Sequence, residues 1–451
     1  MDDLKQIARS IFSQALAGCS IDRAFDRTLQ IATNADGTHL ALGGENAVAL
    51  DRLDRVRIVA AGKAAAAMLT SLLSRLRLPP SCDVQGVLIA PERPRDLPAA
   101  IQFFPGGHPV PNPASFAGAA AALAMLHAVA NAPPQQTLCI FLLSGGASAM
   151  MELPLDPAIS LADTVAFHQA LVHSGASIVE INCIRKHFSA VKGGRLALAA
   201  GHAQTISLFV SDVPPAHLDA LASGPTIADP TTVAQCREIL ARYDLLQRFP
   251  ASVRRFFASP DLPESPKPGE LISRGWKLLD SDEFAELARS HAELLGFHAV
   301  IDNSCDDWDY AAAANHLLHR LRQLRREHPR VCLISAGEIT VRVPPQLSSA
   351  TPHAGGRNQH FALYIATQLT ADDGPLAVLS AGSDGLDGNS SAAGAVIDRH
   401  TLEGDARPRA QHALDDFDSS TWLSAVGATI VTGPTGHNLR DLRILLADAA
   451  S

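Results

Sequence analysis

Two aspartates, Asp384 and Asp387, stand among glycines in SAGSDGLDGNSSAAGA (380–395), directly after the apolar run PLAVL. Unpaired charge is costly to bury at the end of an interior strand, so these carboxylates need a defined task. They could take part in chemistry, or they could cap tight turns by accepting hydrogen bonds from nearby backbone amides. The spacing alone leaves both interpretations open.

Positively charged residues also lie beside glycines. In INCIRKHFSAVKGGRLA (181–197), Arg185, Lys186, Lys192 and Arg195 fall close together in a protein of formal net charge −9. A run of cations is usually a solvated helix face, but the apolar flanks and the double glycine favour an anion site. Guanidinium and ammonium groups suit phosphate and carboxylate.

Two further cations follow glycines at the predicted start of a helix. Lys63 lies in VAAGKAAAAM (59–68), and Arg357 is followed by Asn358 in HAGGRNQHFAL (353–363). A lysine more often lies on a solvated helix face. One placed just after a strand could instead reach into a cleft.

The stretch LLSGGASAM (142–150) runs from an apolar strand into Ser144, Gly145, Gly146 and Ser148. Glycines allow close backbone approach, and free N–H groups at a helix start attract anions. An ordinary strand-to-helix turn would show the same pattern. Asp212 and Glu338, also at predicted strand ends, are further acidic candidates.

Several common motifs are missing from the sequence. GxxxxGK[ST], GxGxxG and GxSxG do not occur, which disfavours a P-loop, a standard dinucleotide site and a serine-hydrolase elbow. His108, His360 and His437 lack HExxH-type spacing, so we expect structural or hydrogen-bonding roles for them.

Apolar runs alternate with helical patterns along the chain, which predicts an α/β fold with a mostly parallel sheet covered on both faces. Ligands collect outside the carboxyl ends of such strands. The predicted strands are 55–61, 84–90, 137–144, 204–212, 276–281, 297–303, 330–338, 339–344, 375–382 and 428–433. The predicted helices start near 63 and span about 113–131, 160–174, 177–190, 282–295, 308–327 and 357–369.

The length of 451 residues predicts more than one domain. A proline-rich segment, SPDLPESPKPG (259–269), predicts a boundary between an N-terminal domain, 1–260, and a C-terminal domain, 261–451. Both halves have the α/β pattern.

The composition argues against several classes of protein. The negative charge disfavours a nucleic-acid-binding surface, and no apolar run approaches the roughly 20 residues of a membrane helix. The seven scattered cysteines form no CxxC pair, and the start is not a signal peptide, so we expect reduced thiols and a cytoplasmic location.

Taken together, these motifs resemble the type-2 glycerate kinase family, also called the MOFRL family, some of whose members carry the older label hydroxypyruvate reductase. The resemblance covers nearly the whole chain. It depends on eight motifs in family order: AGKAAAAM, GHPVPN, LLSGGASAM, INCIRKHFSAVKGGRLA, SDVP…ASGPTIAD, GGRNQ, SAGSDGLDG…AAGA and VTGPTGHNLRDL.

The resemblance implies a Rossmann-like N-terminal domain, a MOFRL-type C-terminal domain and an active site in the interdomain cleft. It implies transfer of the γ-phosphate of ATP to the 2-hydroxyl of D-glycerate or a close hydroxy acid, with a divalent cation such as Mg²⁺. The family positions important for activity fall on Lys63 and Arg357.

With this resemblance, the candidate residues receive roles. The expected catalytic residues are Lys63, Arg357 and Asp384. The residues expected to bind substrate or phosphate are Ser144, Gly145, Gly146, Ser148, Lys192, Arg195, Asp212 and Asn358. The expected metal ligands are Asp384, Asp387 and Glu338. The partners are a small hydroxy acid and a nucleotide; the oligomeric state is not predicted.

The chain departs from the family pattern near several of these loops. Ala147 replaces a glycine, His360 a glutamate, Ser391 an aspartate and His437 a threonine, and PERPRDLP (91–98) stands where relatives have Lys-Tyr-Gly-His. These differences put the acceptor in question more than the fold. Two alternatives to the kinase stay open. The older family label suggests an NAD(P)H-dependent hydroxypyruvate reductase, and the substitutions suggest a catalytically weak paralogue that binds a sugar acid or nucleotide.

Overall fold

The structure is a computed structural model that describes residues 3–34, 37–213, 215–271, 273–344, 353–436 and 438–449. Its contacts divide the chain into two compact units. The first unit comprises residues 21–278, and the second comprises residues 1–20 together with 279–451.

The elements are numbered in chain order. The strands are β1 (Leu29–Asn34), β2 (Gly37–Leu42), β3 (Glu45–Ala49), β4 (Arg55–Ala61), β5 (Asp83–Ala90), β6 (Ile101–Pro105), β7 (Thr137–Ser144), β8 (Gln204–Val210), β9 (Arg274–Leu279), β10 (His298–Ile301), β11 (Val331–Ala336), β12 (Leu376–Gly382), β13 (Gly394–Asp398), β14 (Thr429–Ile430) and β15 (Asp441–Ala447). The helices are α1 (Leu4–Gly18), α2 (Ile21–Thr28), α3 (Ala65–Arg75), α4 (Pro113–His127), α5 (Ala147–Met150), α6 (Leu161–Val172), α7 (Ile178–Phe188), α8 (Arg195–Ala199), α9 (Val233–Arg242), α10 (Leu245–Arg248), α11 (Ala251–Ala258), α12 (Ser281–Leu294), α13 (Tyr310–Glu327), α14 (Arg357–Gln368), α15 (Ala406–Asp415) and α16 (Ser419–Ala425).

The first unit is built on a sheet of order β6-β5-β4-β7-β8-β9, in which β4 to β8 pair in parallel. Every residue of β7, TLCIFLLS, is buried, as expected for a central strand covered on both faces. The carboxyl ends of β4, β7 and β8 therefore lie side by side. This confirms the predicted parallel α/β organisation.

Sequence signals at the helix starts explain where two important helices begin. Before α4, Asn112 and Ser115 form a capping box, in which each side chain accepts a hydrogen bond from the backbone N–H of the other residue. Ser177 and Glu180 form a capping box of the same kind before α7. Since α7 carries the first cations of the motif 181–197, its start fixes their position along the helix.

The second unit has a mixed sheet of order β10-β11-β15-β12-β13-β14. Strand β15 runs antiparallel to both β11 and β12, so β11 and β12 point the same way and their carboxyl ends share one edge. Residues from β11, α13, α14, β12 and β15 form a common hydrophobic core. Helix α1 also belongs here, because its Phe12 packs edge-on against Phe284 of α12.

The structure differs from the sequence-based expectations in several places, and it contains strands β6, β13 and β15, which were not predicted. A small antiparallel sheet, β1-β2-β3, precedes the first predicted strand. The predicted strand at 339–344 is not formed, because β11 already pairs with β10 on one side and β15 on the other. The division by contacts also places β9, which follows the proline-rich segment, mostly with the first unit, whereas the sequence suggested a boundary after residue 260.

Across the described ranges, no helix combines the length and apolar character needed to cross a bilayer.

Candidate active site

Lys63 lies just after the carboxyl end of β4, where hydrogen bonds connect the chain to the end of β7. Its backbone N–H donates to Gly145 O at 2.9 Å, and the next amide, Ala64 N, donates to Ser144 Oγ at 3.0 Å. A Cβ at Gly62, which has φ +118°, would collide with the Ser144 hydroxyl and carbonyl, so only glycine allows this approach. Lys63 itself is exposed, and its ammonium is accessible to a ligand.

The two glycines after β7 bring further side chains to the same place. A Cβ on Gly146 would lie 3.2 Å from Lys63 Cγ and 3.2 Å from His108 Cδ2, and one on Gly145 would collide with the Asp212 carboxylate. Burial and the positive charge of Lys63 both lower the pKa of His108. The structure therefore brings Lys63, Gly145, Gly146 and Asp212 together.

Lys192, by contrast, points into the interior. It is fully buried, and its Nζ lies 2.5 Å from Glu152 Oε2, which is 2.9 Å from His168 Nε2. Burial alone would raise the pKa of Glu152, but the Lys192 ammonium and the hydrogen bond from His168 lower it to about 2. In this arrangement Lys192 neutralises Glu152 and does not present its ammonium to solvent, so direct substrate binding by Lys192 finds no support in the geometry.

Arg195 is directed toward the proline-rich segment. Its guanidinium donates to Pro263 O at 3.3 Å and Glu264 O at 3.1 Å. The arginine thus holds this loop in place. Ser148, four residues after the end of β7, exchanges a hydrogen bond with Ser223 Oγ at 3.1 Å.

A pocket of about 460 Å³ opens beside residues 144–147, the turn that follows β7 and is called the β7 turn below. Gly146, Ser148, His108 and His168 contribute to its lining, and so does Arg185 of α7. Arg185 belongs to the basic motif 181–197, in which the binding role was predicted for Lys192 and Arg195. Helical spacing could not show which of these cations faces an open space.

In the second unit, Arg357 starts α14 and is held by two carboxylates. Its Nε and one terminal nitrogen donate to both oxygens of Asp441, and its other contact is Glu338 Oε1 at 2.8 Å. Burial raises the pKa of Glu338 although Arg357 opposes this effect. Arg357 is partly exposed in a pocket of about 710 Å³ that Glu338 and Asp384 also line.

Asp387 caps helix α14. Its Oδ1 accepts from Asn358 N at 3.0 Å and from Asn358 Nδ2 at 3.3 Å, and its Oδ2 accepts from Gln359 N at 2.8 Å. Ser380 Oγ donates to Asn358 Oδ1 at 2.6 Å. Asp387 and Asn358 are thus buried positioning groups for the start of the helix that carries Arg357.

The remaining acidic candidates, Asp384 and Glu338, carry carboxylate oxygens of the kind that bind a hard cation. Asp384 accepts from Leu386 N at 3.1 Å in an Asx-type turn and, with Glu338, lines the 710 Å³ pocket. Carboxylate oxygens are ligands that Mg²⁺ accepts, and it usually needs few of them. Asp384 and Glu338 fit such an ion, whereas both Asp387 oxygens are committed to the helix. The metal role of all three residues stays a prediction.

The departures from the family pattern have different surroundings. Ala147 is buried in the core, Ser391 is exposed, and 91–98 is a mostly exposed loop between β5 and β6. His437 lies outside the described residues.

His360, where the resemblance implies a glutamate, is buried beside the 710 Å³ pocket. Its ring stacks on Phe417 with centroids 5.0 Å apart and meets Tyr310 edge-on at 4.5 Å. Burial lowers the pKa of His360 to about 4, so the ring is neutral at pH 7. The position where the resemblance implies a glutamate therefore carries a neutral ring beside this pocket.

Comparison with family models gives two matches. Residues 7–258 match a model described as a domain of unknown function, DUF4147, and residues 331–441 match the MOFRL family. The chain is 32% identical, over 98% of both chains, to a protein of Thermotoga maritima named D-glycerate 2-kinase. This chain belongs to the type-2 glycerate kinase (MOFRL) family.

Other relatives support membership of the MOFRL family. A protein of Pyrococcus horikoshii named glycerate 2-kinase is 29% identical over 98% of this chain and 97% of its own. A protein of Agrobacterium vitis that carries the name hydroxypyruvate reductase is 35% identical over 87% of each chain. A crystal structure titled glycerate kinase, from Thermotoga maritima, superposes with a TM-score of 0.79 at 30% identity, covering 98% of this chain and 99% of its own.

Proposed function

We propose that this chain is a kinase that transfers the γ-phosphate of ATP to the 2-hydroxyl of D-glycerate, giving 2-phosphoglycerate. The observation that carries the proposal is the match over 98% of the chain to a protein named D-glycerate 2-kinase. The glycine turn at Lys63 and the arginine at the start of α14 supply the cationic groups that such a reaction needs.

Phosphoryl transfer depends mainly on positioning and on neutralisation of charge. The 2-hydroxyl oxygen forms a bond to the γ-phosphorus, the bond from that phosphorus to the bridging oxygen of ADP breaks, and the hydroxyl proton goes to a base. Bound Mg²⁺ would supply charge neutralisation on the phosphates. The exposed Lys63 ammonium and the partly exposed Arg357 guanidinium are our proposed phosphoryl-stabilising groups.

The decisive experiment measures ADP release in a coupled assay over small hydroxy acids, with D-glycerate first and longer sugar acids included. NMR of the product identifies the phosphorylated carbon. Because 91–98 differs from relatives, a longer acid could be preferred, and the same screen detects it. Absence of ADP release with every acid would contradict the proposed activity.

The reductase alternative is tested separately by following NADH absorbance with hydroxypyruvate in the absence of coupling enzymes. Its support is the name of relatives such as the Agrobacterium vitis protein. Oxidation of NADH at a rate comparable to ADP release would favour it. Calorimetry that shows tight ligand binding without turnover would favour the catalytically weak paralogue.

Asp384→Asn is expected to lower kcat at least about a hundredfold, since the amide can neither accept a proton nor hold a cation as the carboxylate does. The turn is expected to survive, because an asparagine oxygen can still accept from Leu386 N. The exposed Asp372, changed to Asn, is the matched control. If Asp384→Asn phosphorylates its acceptor at a near wild-type rate, the proposed role is wrong.

Arg357→Lys is expected to reduce kcat by about ten- to a hundredfold, because one ammonium cannot reproduce the fork that engages Asp441 and Glu338. Steady-state kinetics with ATP and acceptor varied separately measures this. An unchanged kcat with the lysine would show that charge alone suffices at this position.

A further inference from the structure

Arg185 projects from α7 into the 460 Å³ pocket of the first unit. Its Nε is buried and has no hydrogen-bond partner among the residues that the structure describes. Burial lowers the pKa of Arg185, but a guanidinium stays charged at neutral pH. A buried guanidinium nitrogen without a partner is costly unless a ligand satisfies it.

The charges around Arg185 do not balance. In the described part of the chain, the carboxylate that acts on Arg185 is Glu152, and Glu152 is already paired with Lys192 at 2.5 Å. His168 also contacts Glu152, and because burial lowers the pKa of His168, its imidazole is neutral and adds no charge to this cluster. The Arg185 guanidinium and the Lys192 ammonium therefore share one carboxylate, which leaves one positive charge uncompensated.

We propose that this pocket is the subsite for the carboxylate of the acceptor, with Arg185 as its main ligand. The proposal rests on the proposed kinase function and adds the class of acceptor group that the pocket takes: one carboxylate of a small hydroxy acid. A single uncompensated charge matches a monocarboxylate better than the polyanionic tail of a nucleotide. The apolar wall formed by Pro109, Val110, Val165 and Val172 suits a short carbon chain.

The pocket also lies next to the proposed catalytic lysine. Gly146 and His108 line the pocket, and the same two residues are those that flank the Lys63 side chain. An acid held by Arg185 therefore has its hydroxyl-bearing end on the side of the β7 turn. Lys192 acts as a positioning residue, because by pairing with Glu152 it keeps that carboxylate from neutralising Arg185.

The first test changes an exposed residue at the rim, which does not threaten folding. Val172 lines the pocket and is 61% exposed, so Val172→Glu places a carboxylate beside the subsite. We expect KM for D-glycerate to rise about three- to tenfold by repulsion, with KM for ATP unchanged. Val179→Glu, at a 58% exposed valine that does not line the pocket, is the matched control and should behave as wild type.

The second test removes the guanidinium. Arg185→Gln is expected to raise KM for D-glycerate about ten- to a hundredfold, and Arg185→Lys is expected to restore part of the loss. Isothermal titration calorimetry without ATP measures binding of D-glycerate, of the uncharged glycerol and of inorganic phosphate. Wild type should bind D-glycerate, should not bind glycerol, and should lose affinity for D-glycerate in Arg185→Gln.

The outcomes separate this inference from the kinase proposal. If wild type binds hydroxy acids through Arg185 but phosphorylates none, the subsite stands and the kinase assignment fails. If wild type phosphorylates D-glycerate and neither Val172→Glu nor Arg185→Gln changes its KM by more than twofold, the subsite is refuted. A rise in KM for ATP alone, or binding of phosphate in preference to D-glycerate, would likewise refute it.

Discussion

Lys63→Ala is expected to lower kcat for D-glycerate phosphorylation by about a hundred- to a thousandfold while leaving the fold intact. The side chain is exposed and its backbone amide, not its ammonium, makes the bond to Gly145 O. Alanine therefore keeps the turn and removes the positive charge that we assign to the transferring phosphoryl group. Coupled ADP release measures kcat, and circular dichroism checks the fold.

Two comparisons make the Lys63 prediction specific. Lys277→Ala changes an exposed lysine of the same unit and should leave kcat near wild type.

Lys63 and Arg357 belong to different units, and their joint action on one phosphoryl group stays a prediction. If they act together, Lys63→Ala combined with Arg357→Lys should lose less than the product of the single losses. A kcat within threefold of wild type for Lys63→Ala would remove this lysine from the mechanism.

Lys192→Met is expected to lower the free energy of unfolding by about 3–5 kcal/mol, because it removes the ammonium that lies 2.5 Å from the buried Glu152 carboxylate. Urea denaturation followed by tryptophan fluorescence and circular dichroism measures the change. The double variant Glu152→Gln with Lys192→Met removes both charges and should recover a large part of the loss. A single-variant change below about 1 kcal/mol would show that the pair contributes little.

The same pair predicts a pH dependence. The pKa of Glu152 is about 2 in the folded chain and 4.5 for an ordinary glutamate. Ionisation of this group therefore stabilises the fold fully above about pH 4.5, and the contribution disappears as the pH falls through 2. Wild type should lose this increment on acidification, and the double variant should not.

Strands β4, β5, β7 and β8 of the first unit could be predicted because each is a short apolar run, whereas β1, β2, β3 and β6 were not predicted. Strand β4 was predicted as 55–61 and is found there, and β7 was predicted and found as 137–144. The segment 339–344 was predicted wrongly because its alternation satisfies the strand pattern, whereas both edges of β11 are already taken. That information comes from pairing between distant parts of the chain.

The loops that form the candidate site could be predicted from the sequence. Which cations of those loops face a pocket and which are buried in ion pairs could not. Lys192 and Arg185 lie seven positions apart in one basic motif, and nothing local distinguishes them. Lys192 is buried in an ion pair with Glu152, which lies 40 residues earlier in the chain. The residues next to Lys192 therefore do not reveal its burial. The capping role of Asp387 was weighed from its glycine-rich surroundings, but its partner, the start of α14, lies 28 to 29 residues earlier in the chain.

Helix α1 has a consequence for synthesis on the ribosome. Its apolar face, which includes Ala8, Ile11 and Phe12, is buried in the second unit, whose remaining residues begin at 279. Once synthesised, this helix segment must therefore wait until the whole of the first unit has emerged from the exit tunnel. A 15-residue helix is marginally stable in water without tertiary packing. This segment therefore stays unstructured during that delay, with its apolar side chains exposed. Nascent chains halted before about residue 280 should accordingly be the ones that holdase chaperones capture through the segment Leu4–Gly18.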